Sequence, residues 1–97
     1  MSYSFGAKGA SKTDAILDAE EKFAKVVNDM PVHGKDQSEV LSHMRNLVRL
    51  ADEPNADEEV HISMSGYMST VSESNGAIQK VRTVSASCSV SIARKAT

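Results

Sequence analysis

Val60-His61-Ile62-Ser63-Met64-Ser65-Gly66-Tyr67-Met68-Ser69 and, further on, Val84-Ser85-Ala86-Ser87-Cys88-Ser89-Val90-Ser91-Ile92 are the two stretches that decide the fold. Both alternate apolar and small polar residues with a period of two, as a strand does when one face is buried and the other is open. In both, the apolar members carry even numbers. A hairpin that joins them must therefore pair even with even, or one strand turns its core residues to water. Between them, Ser74-Asn75-Gly76 is the strongest turn signal in the chain. A two-residue Asn75-Gly76 loop pairs positions summing to 151 and sets apolar residues opposite serines. A three-residue Ser74-Asn75-Gly76 loop, with Gly76 at the left-handed bulge position, pairs positions summing to 150. It predicts Ile62 opposite Cys88 and Met64 opposite Ala86.

Working towards the N-terminus, Val40, Leu41, Met44, Leu47, Val48 and Ala51 mark one face of a helix. Asp36 with Glu39 reads as its capping pair, and the helix ends before Pro54. Ile16, Ala19, Phe23, Val26, Val27 and Met30 form the apolar stripe of an earlier helix. That helix starts near Lys12, with Ser11 as N-cap and Asp14 in the first turn. Asp18–Lys22 and Glu21–Lys25 are acid-first i,i+4 pairs on its other side. Pro31 stops it, since proline lacks an N–H and disfavours helical geometry in the residue before it. The segment from Pro31 to Lys35 is read as the connector. At the start of the chain, Tyr3, Phe5 and Ala7 alternate with Ser2, Ser4, Gly6 and Lys8 as a short strand.

The expected architecture is α+β: a single domain over residues 1–97 in the order β-α-α-β-β, with two helices packed on one face of a three-stranded, mainly antiparallel sheet. The pattern leaves open whether the first strand joins the second or the third. Composition agrees with one packed core, with hydrophobic residues at 40% and charged residues at 25%. The net charge of −2 supplies no general attraction to nucleic acid or to an anionic membrane. Charge is nonetheless segregated: Asp52, Glu53, Asp57, Glu58 and Glu59 form an acidic run, read as a solvated linker, while residues 77–97 carry Lys80, Arg82, Arg94 and Lys95 and no acid. The single cysteine excludes an internal disulfide. With no leader-like start, no apolar run of membrane length and no Asn-x-Ser/Thr site, the expected compartment is the cytoplasm.

Catalytic signatures are missing from the pattern. Gly6-Ala7-Lys8-Gly9 is neither a Walker loop nor a dinucleotide fingerprint and reads as strand and turn. His33, His43 and His61 lack the short repeated spacing of zinc ligands, so no metal is expected. Cys88, between Ala86 and Val90 on the inward side, is expected to be buried and inert. Ser63-Met64-Ser65-Gly66-Tyr67 is a strand by alternation, not a nucleophile elbow. The chain is therefore read as non-enzymatic and without a cofactor.

The outer sheet face is the unusual feature. Ser63, Ser65, Ser69, Thr83, Ser85, Ser87, Ser89 and Ser91 lie there with Tyr67 and His61. Exposed strands ordinarily favour larger side chains, and a flat layer of short hydroxyls permits close approach by another surface. Ser63, Ser65, Tyr67, Thr83, Ser85 and Ser87 are the expected partner-binding residues, for a protein partner or a second copy of the chain. The alternative is a small nucleic-acid-binding protein using Tyr67 as a stacking platform with Lys80, Arg82, Arg94 and Lys95.

The opening Met1-Ser-Tyr-Ser-Phe5, the Pro31-Val32-His33 connector, the acidic stretch around Pro54, and the run from Val60 to Tyr67 resemble small uncharacterised proteins encoded by tailed bacteriophages. The resemblance spans most of the chain, rests on structural motifs and carries no active site. It implies a bacterial cytoplasm or a virion as the setting, and a binding or assembly role.

Overall fold

The computed structural model describes residues 2–28, 34–74 and 78–95; the side chains of 34–35, 68–74 and 78–84 are outside that description. Strand β1 (Ser2–Gly9), helices α1 (Lys12–Val27) and α2 (Gly34–Leu50), and strands β2 (Glu58–Ser74) and β3 (Ile78–Arg94) follow in the expected order. They form the expected α+β fold, a three-stranded antiparallel sheet in the order β1-β2-β3. β1 thus joins β2, which becomes the central strand.

Each helix forms for a local reason. The Ser11 hydroxyl accepts the Asp14 N–H at 3.1 Å and caps α1, which then buries Ala15, Ala19, Phe23 and Val27 on one face. In α2, Val40, Met44 and Val48 are the buried positions, with Leu41 and Leu47 half-buried beside them. The core closes where these faces meet Tyr3 and Ala7 of β1 and Val60, Ile62 and Met64 of β2.

Two expected boundaries move. α1 ends at Val27 with Asn28 as its C-cap; Met30 to His33 lie outside the described residues. Gly34 and Lys35 belong to α2 rather than to a connector, so Asp36 sits buried in the first turn instead of acting as N-cap. An acid still suits that turn, because it faces the positive end of the helix. Asp52, Glu53 and Asp57 of the acidic stretch are exposed, as in a solvated linker, while Glu58 and Glu59 begin β2 and a few contacts hold the stretch in place. Glu58 Oε1 accepts the Asn55 N–H at 2.8 Å, Lys12 meets Glu53 at 3.4 Å, and the Lys95 N–H donates to the Asp57 carbonyl at 2.9 Å.

The hairpin keeps the expected parity but not the expected register. Paired positions sum to 152: Ile62 lies opposite Val90 and Met64 opposite Cys88. Ser74 opposite Ile78 moves the three-residue connection to 75–77, which lies outside the described residues together with the expected bulge position of Gly76. Alternation forbids odd sums only. Among even sums, the observed one brings Val60 opposite Ile92 and Glu58 opposite Arg94, whereas a sum of 150 would set Ile92 against Glu58. Gly66 then faces Tyr3 on one side and Ala86 on the other.

The i,i+4 pair Asp18–Lys22, 3.2 Å apart, does more than decorate the solvent side of α1. Asp18 accepts the Lys8 N–H at 3.1 Å and Lys22 donates to the Gly6 carbonyl at 2.8 Å. Together they satisfy two backbone groups on the open edge of β1. The Lys8 N–H, aided by Lys22 and Lys25, holds the Asp18 carboxyl below its ordinary value. A lowered carboxylate pKa stabilises the fold above the ordinary carboxylate range and loses that contribution as pH falls through the native value. Asp18→Asn is accordingly expected to lower Tm at neutral pH, with the difference from the parent closing in thermal melts as pH falls below the ordinary carboxylate range.

Tyr3 packs edge-on to Phe23, with ring centroids 5.6 Å apart, and lies over Gly66. Its hydroxyl is buried with no hydrogen-bond partner among the described residues, and a Cβ built on Gly66 would lie 2.7 Å from it and closer still to the Ser85 carbonyl oxygen. An unpaired buried hydroxyl costs about 1–3 kcal/mol, and overpacking a tight contact costs a similar amount. Tyr3→Phe should therefore leave stability unchanged or raised, while Gly66→Ala should lower it, with Tm falling about 4–8 °C per kcal/mol. Urea or thermal unfolding of the two variants checks both signs.

Candidate functional site

Helices cover only one side of the sheet, so the other side is set entirely by strand parity and register. Residues of even number in β1 and odd number in β2 and β3 share it, in four rows across the strands: Ser2–Tyr67–Ser85, Ser4–Ser65–Ser87, Gly6–Ser63–Ser89 and Lys8–His61–Ser91. Ser63, Ser85, Ser87, Ser89 and Ser91 are exposed, Ser65 is half-buried, and Tyr67 is 42% exposed. The serine layer is therefore wider than β2 and β3 alone provide. β1 contributes Ser2 and Ser4, which sequence reasoning missed because the neighbour of β1 was open. The signal was present in the alternation of residues 2–8.

Pairings within the expected patch differ by one step. Ser65 faces Ser87 rather than Ser85, Ser63 faces Ser89 rather than Ser87, and Tyr67 faces Ser85 rather than Thr83. Ser63, Ser65, Tyr67, Ser85 and Ser87 still form one continuous patch. Thr83 lies opposite Ser69, and its side chain is outside the described residues.

The two ends of this face differ. Tyr67 stands in the last row that includes β1, and three rows away, about 20 Å along the strands, are Lys8 and His61. Gly6 has no side chain, so the Gly6–Ser63–Ser89 row is a depression of about 330 Å³, with Lys8, His61 and Ser91 on its far side and Lys22 reaching in around β1. His61 Nε2 lies 2.9 Å from Glu59 Oε1 on the same strand. Between these ends the face is uncharged, and each position except Gly6 carries a hydroxyl able to donate and accept.

The residues of the nucleic-acid alternative are not brought together. Arg94 is nine residues along β3 from the partner of Tyr67, about 30 Å away. Arg94 Nε lies 3.8 Å from Asp57, and Lys95 Nζ donates to the Ala56 carbonyl at 3.3 Å. The side chains of Lys80 and Arg82 lie outside the described residues. His43 is exposed on α2, apart from His61, and His33 is outside the description.

No family model, curated protein or solved structure matches the chain. Among the described residues no helix is long and apolar enough to cross a membrane.

Cys88 is half-buried on the helix side, less covered than the sequence pattern implies, because α2 does not fully enclose β3. Burial pushes its thiol above the ordinary value. Maleimide labelling of the native protein at neutral pH should be slower than in urea, with a rate still rising above about pH 9. Equal rates in the two conditions would show a freely accessible thiol.

Proposed function

We propose that this chain is a non-enzymatic protein–protein interaction module, encoded by a bacteriophage, that binds a host protein or takes part in assembly through its outer sheet face. The observation that carries the reading is the helix-free face of aligned serines in four rows, with Tyr67 in the first of them. Short hydroxyls lose little rotamer entropy on burial, and a half-exposed tyrosine is a favoured interface anchor. The resemblance to small phage proteins supplies the setting, a bacterial cytoplasm or a virion. Nucleic-acid binding is less well supported, because Tyr67 and the Arg94–Lys95 end lie far apart and both cations already have partners within the domain.

Ser65→Arg and Ser85→Glu place large charges on the patch without touching the core. Both variants are expected to keep the circular dichroism and Tm of the parent and to lose a partner that the parent captures from bacterial lysate, by about tenfold or more in affinity. Retention of that partner by both variants removes the face from the interface. Steeply salt-dependent oligonucleotide binding by the parent would favour the nucleic-acid reading instead.

A further inference from the structure

The two edges of the sheet are treated unequally. On β1 the Asp18–Lys22 pair occupies the Gly6 carbonyl and the Lys8 N–H. That contact also shows which way the backbone points. Even-numbered residues of β1 direct their N–H and C=O away from β2, so the odd-numbered ones bond to even-numbered residues of β2. Odd-numbered residues of β2 then bond to odd-numbered residues of β3, as the Lys95 N–H to Asp57 carbonyl bond confirms. The even-numbered residues of β3, Ala86, Cys88, Val90 and Ile92, therefore present their N–H and C=O groups at the outer edge.

Nothing in the chemistry of that edge discourages pairing. From Thr83 to Ala93 there is no charge and no proline, two of the devices by which proteins blunt edge strands. The inward positions are also unfinished: Val60, Ile62 and Met64 of β2 are buried to within 1%, whereas Cys88, Val90 and Ile92 remain half-exposed and Ala86 is exposed. An open recess of about 450 Å³ lies against Ala86 to Ser89, lined also by His43 of α2 and by Ser63 and Ser65 of β2.

The segment is also symmetric about Cys88. Apolar residues stand at 84, 86, 88, 90 and 92 and serines at 85, 87, 89 and 91, so an antiparallel copy centred on Cys88 matches apolar with apolar and serine with serine. Ala86 would lie opposite Val90 of the second copy, Ser87 opposite Ser89, and Cys88 opposite Cys88. Every even-numbered pair would be a hydrogen-bonded pair, as the backbone directions require.

The geometry points to a second copy of this chain as the occupant of the β3 edge, joined by a two-fold axis at Cys88 into a continuous six-stranded sheet, three strands from each copy. The inference rests on the interaction-module reading for the kind of partner and deepens it. One copy's four rows span on the order of 400 Å², half of what a standard interface takes from each partner, and pairing doubles the serine face on the same side of the sheet.

Sedimentation of the full chain over a concentration series tests this, with diamide as a mild two-electron oxidant in a parallel sample. The expected result is a species of twice the 10.4 kDa chain mass that diamide converts to a covalent dimer through Cys88. Ala86→Pro removes an edge N–H not used by β2, and Ala86→Lys adds a charge at an exposed site; both should sediment at the single-chain mass with an unchanged fold. A parent that stays monomeric overturns the edge pairing and leaves the serine face free to be tested on a different partner. A dimer that survives both Ala86 variants also overturns it. If that dimer is broken by Ser65→Arg, self-association belongs to the serine face instead.

Discussion

The fold depends on β2 having both edges paired while one of its faces is sealed. Val60, Ile62 and Met64 are exposed by no more than 1%, and they are the positions against which Phe23 and Met44 close the core. Because β2 hydrogen-bonds to β1 on one side and β3 on the other, a slip of one residue would turn all three core side chains to water. That constraint carries over to both neighbours. It places Tyr3 and Ala7 on the helix side with β2's even-numbered residues, and by the same alternation it fixes the serines on the opposite side. The core and the candidate binding face are two consequences of one parity.

Cover on the two outer strands is uneven. α1 lies along β1 and supplies the Asp18–Lys22 strap to its edge, while α2 leaves the inward residues of β3 half-exposed. A small domain with few aromatic residues has little spare apolar surface with which to finish both edges. The three rings it places in the core, Tyr3, Phe5 and Phe23, cluster on the β1 side, with centroids 5.6 to 6.5 Å apart. The side with aromatic packing is closed, and on the side without it the inward residues of β3 stay half-exposed.

Charge is handled locally. The acidic stretch and the basic end of β3 meet at the same end of the sheet, where Asp57 lies near Arg94 and the Lys95 N–H and ammonium donate to the Asp57 and Ala56 carbonyls. In the sequence these look like opposite poles. In the fold they approach at one contact, between Arg94 and Asp57. The middle of the serine face carries neither sign because its side chains are hydroxyls, so recognition there would rest on shape and hydrogen bonds rather than on long-range attraction.

Element type and order were legible from residues alone, because periods of two and 3.6 are local properties: the Ser11 cap, the stripe Ala19-Phe23-Val27 and the alternation from Val60 to Tyr67 each declare themselves within a few positions. The side on which each serine lies was legible for the same reason. The sum of 152 was not, since every even sum preserves the alternation, and which one forms depends on pairs far apart in the chain, such as Val60 with Ile92. Nor was the place of β1, whose pattern fits either neighbour. The strap from Asp18 and Lys22 reads in sequence as an ordinary i,i+4 pair, and only docking of α1 against β1 turned it towards the backbone of an edge strand. Residues thus determined which faces exist; tertiary packing decided which residues meet across them and which edge was left open, because register and edge cover depend on contacts between segments far apart in the chain.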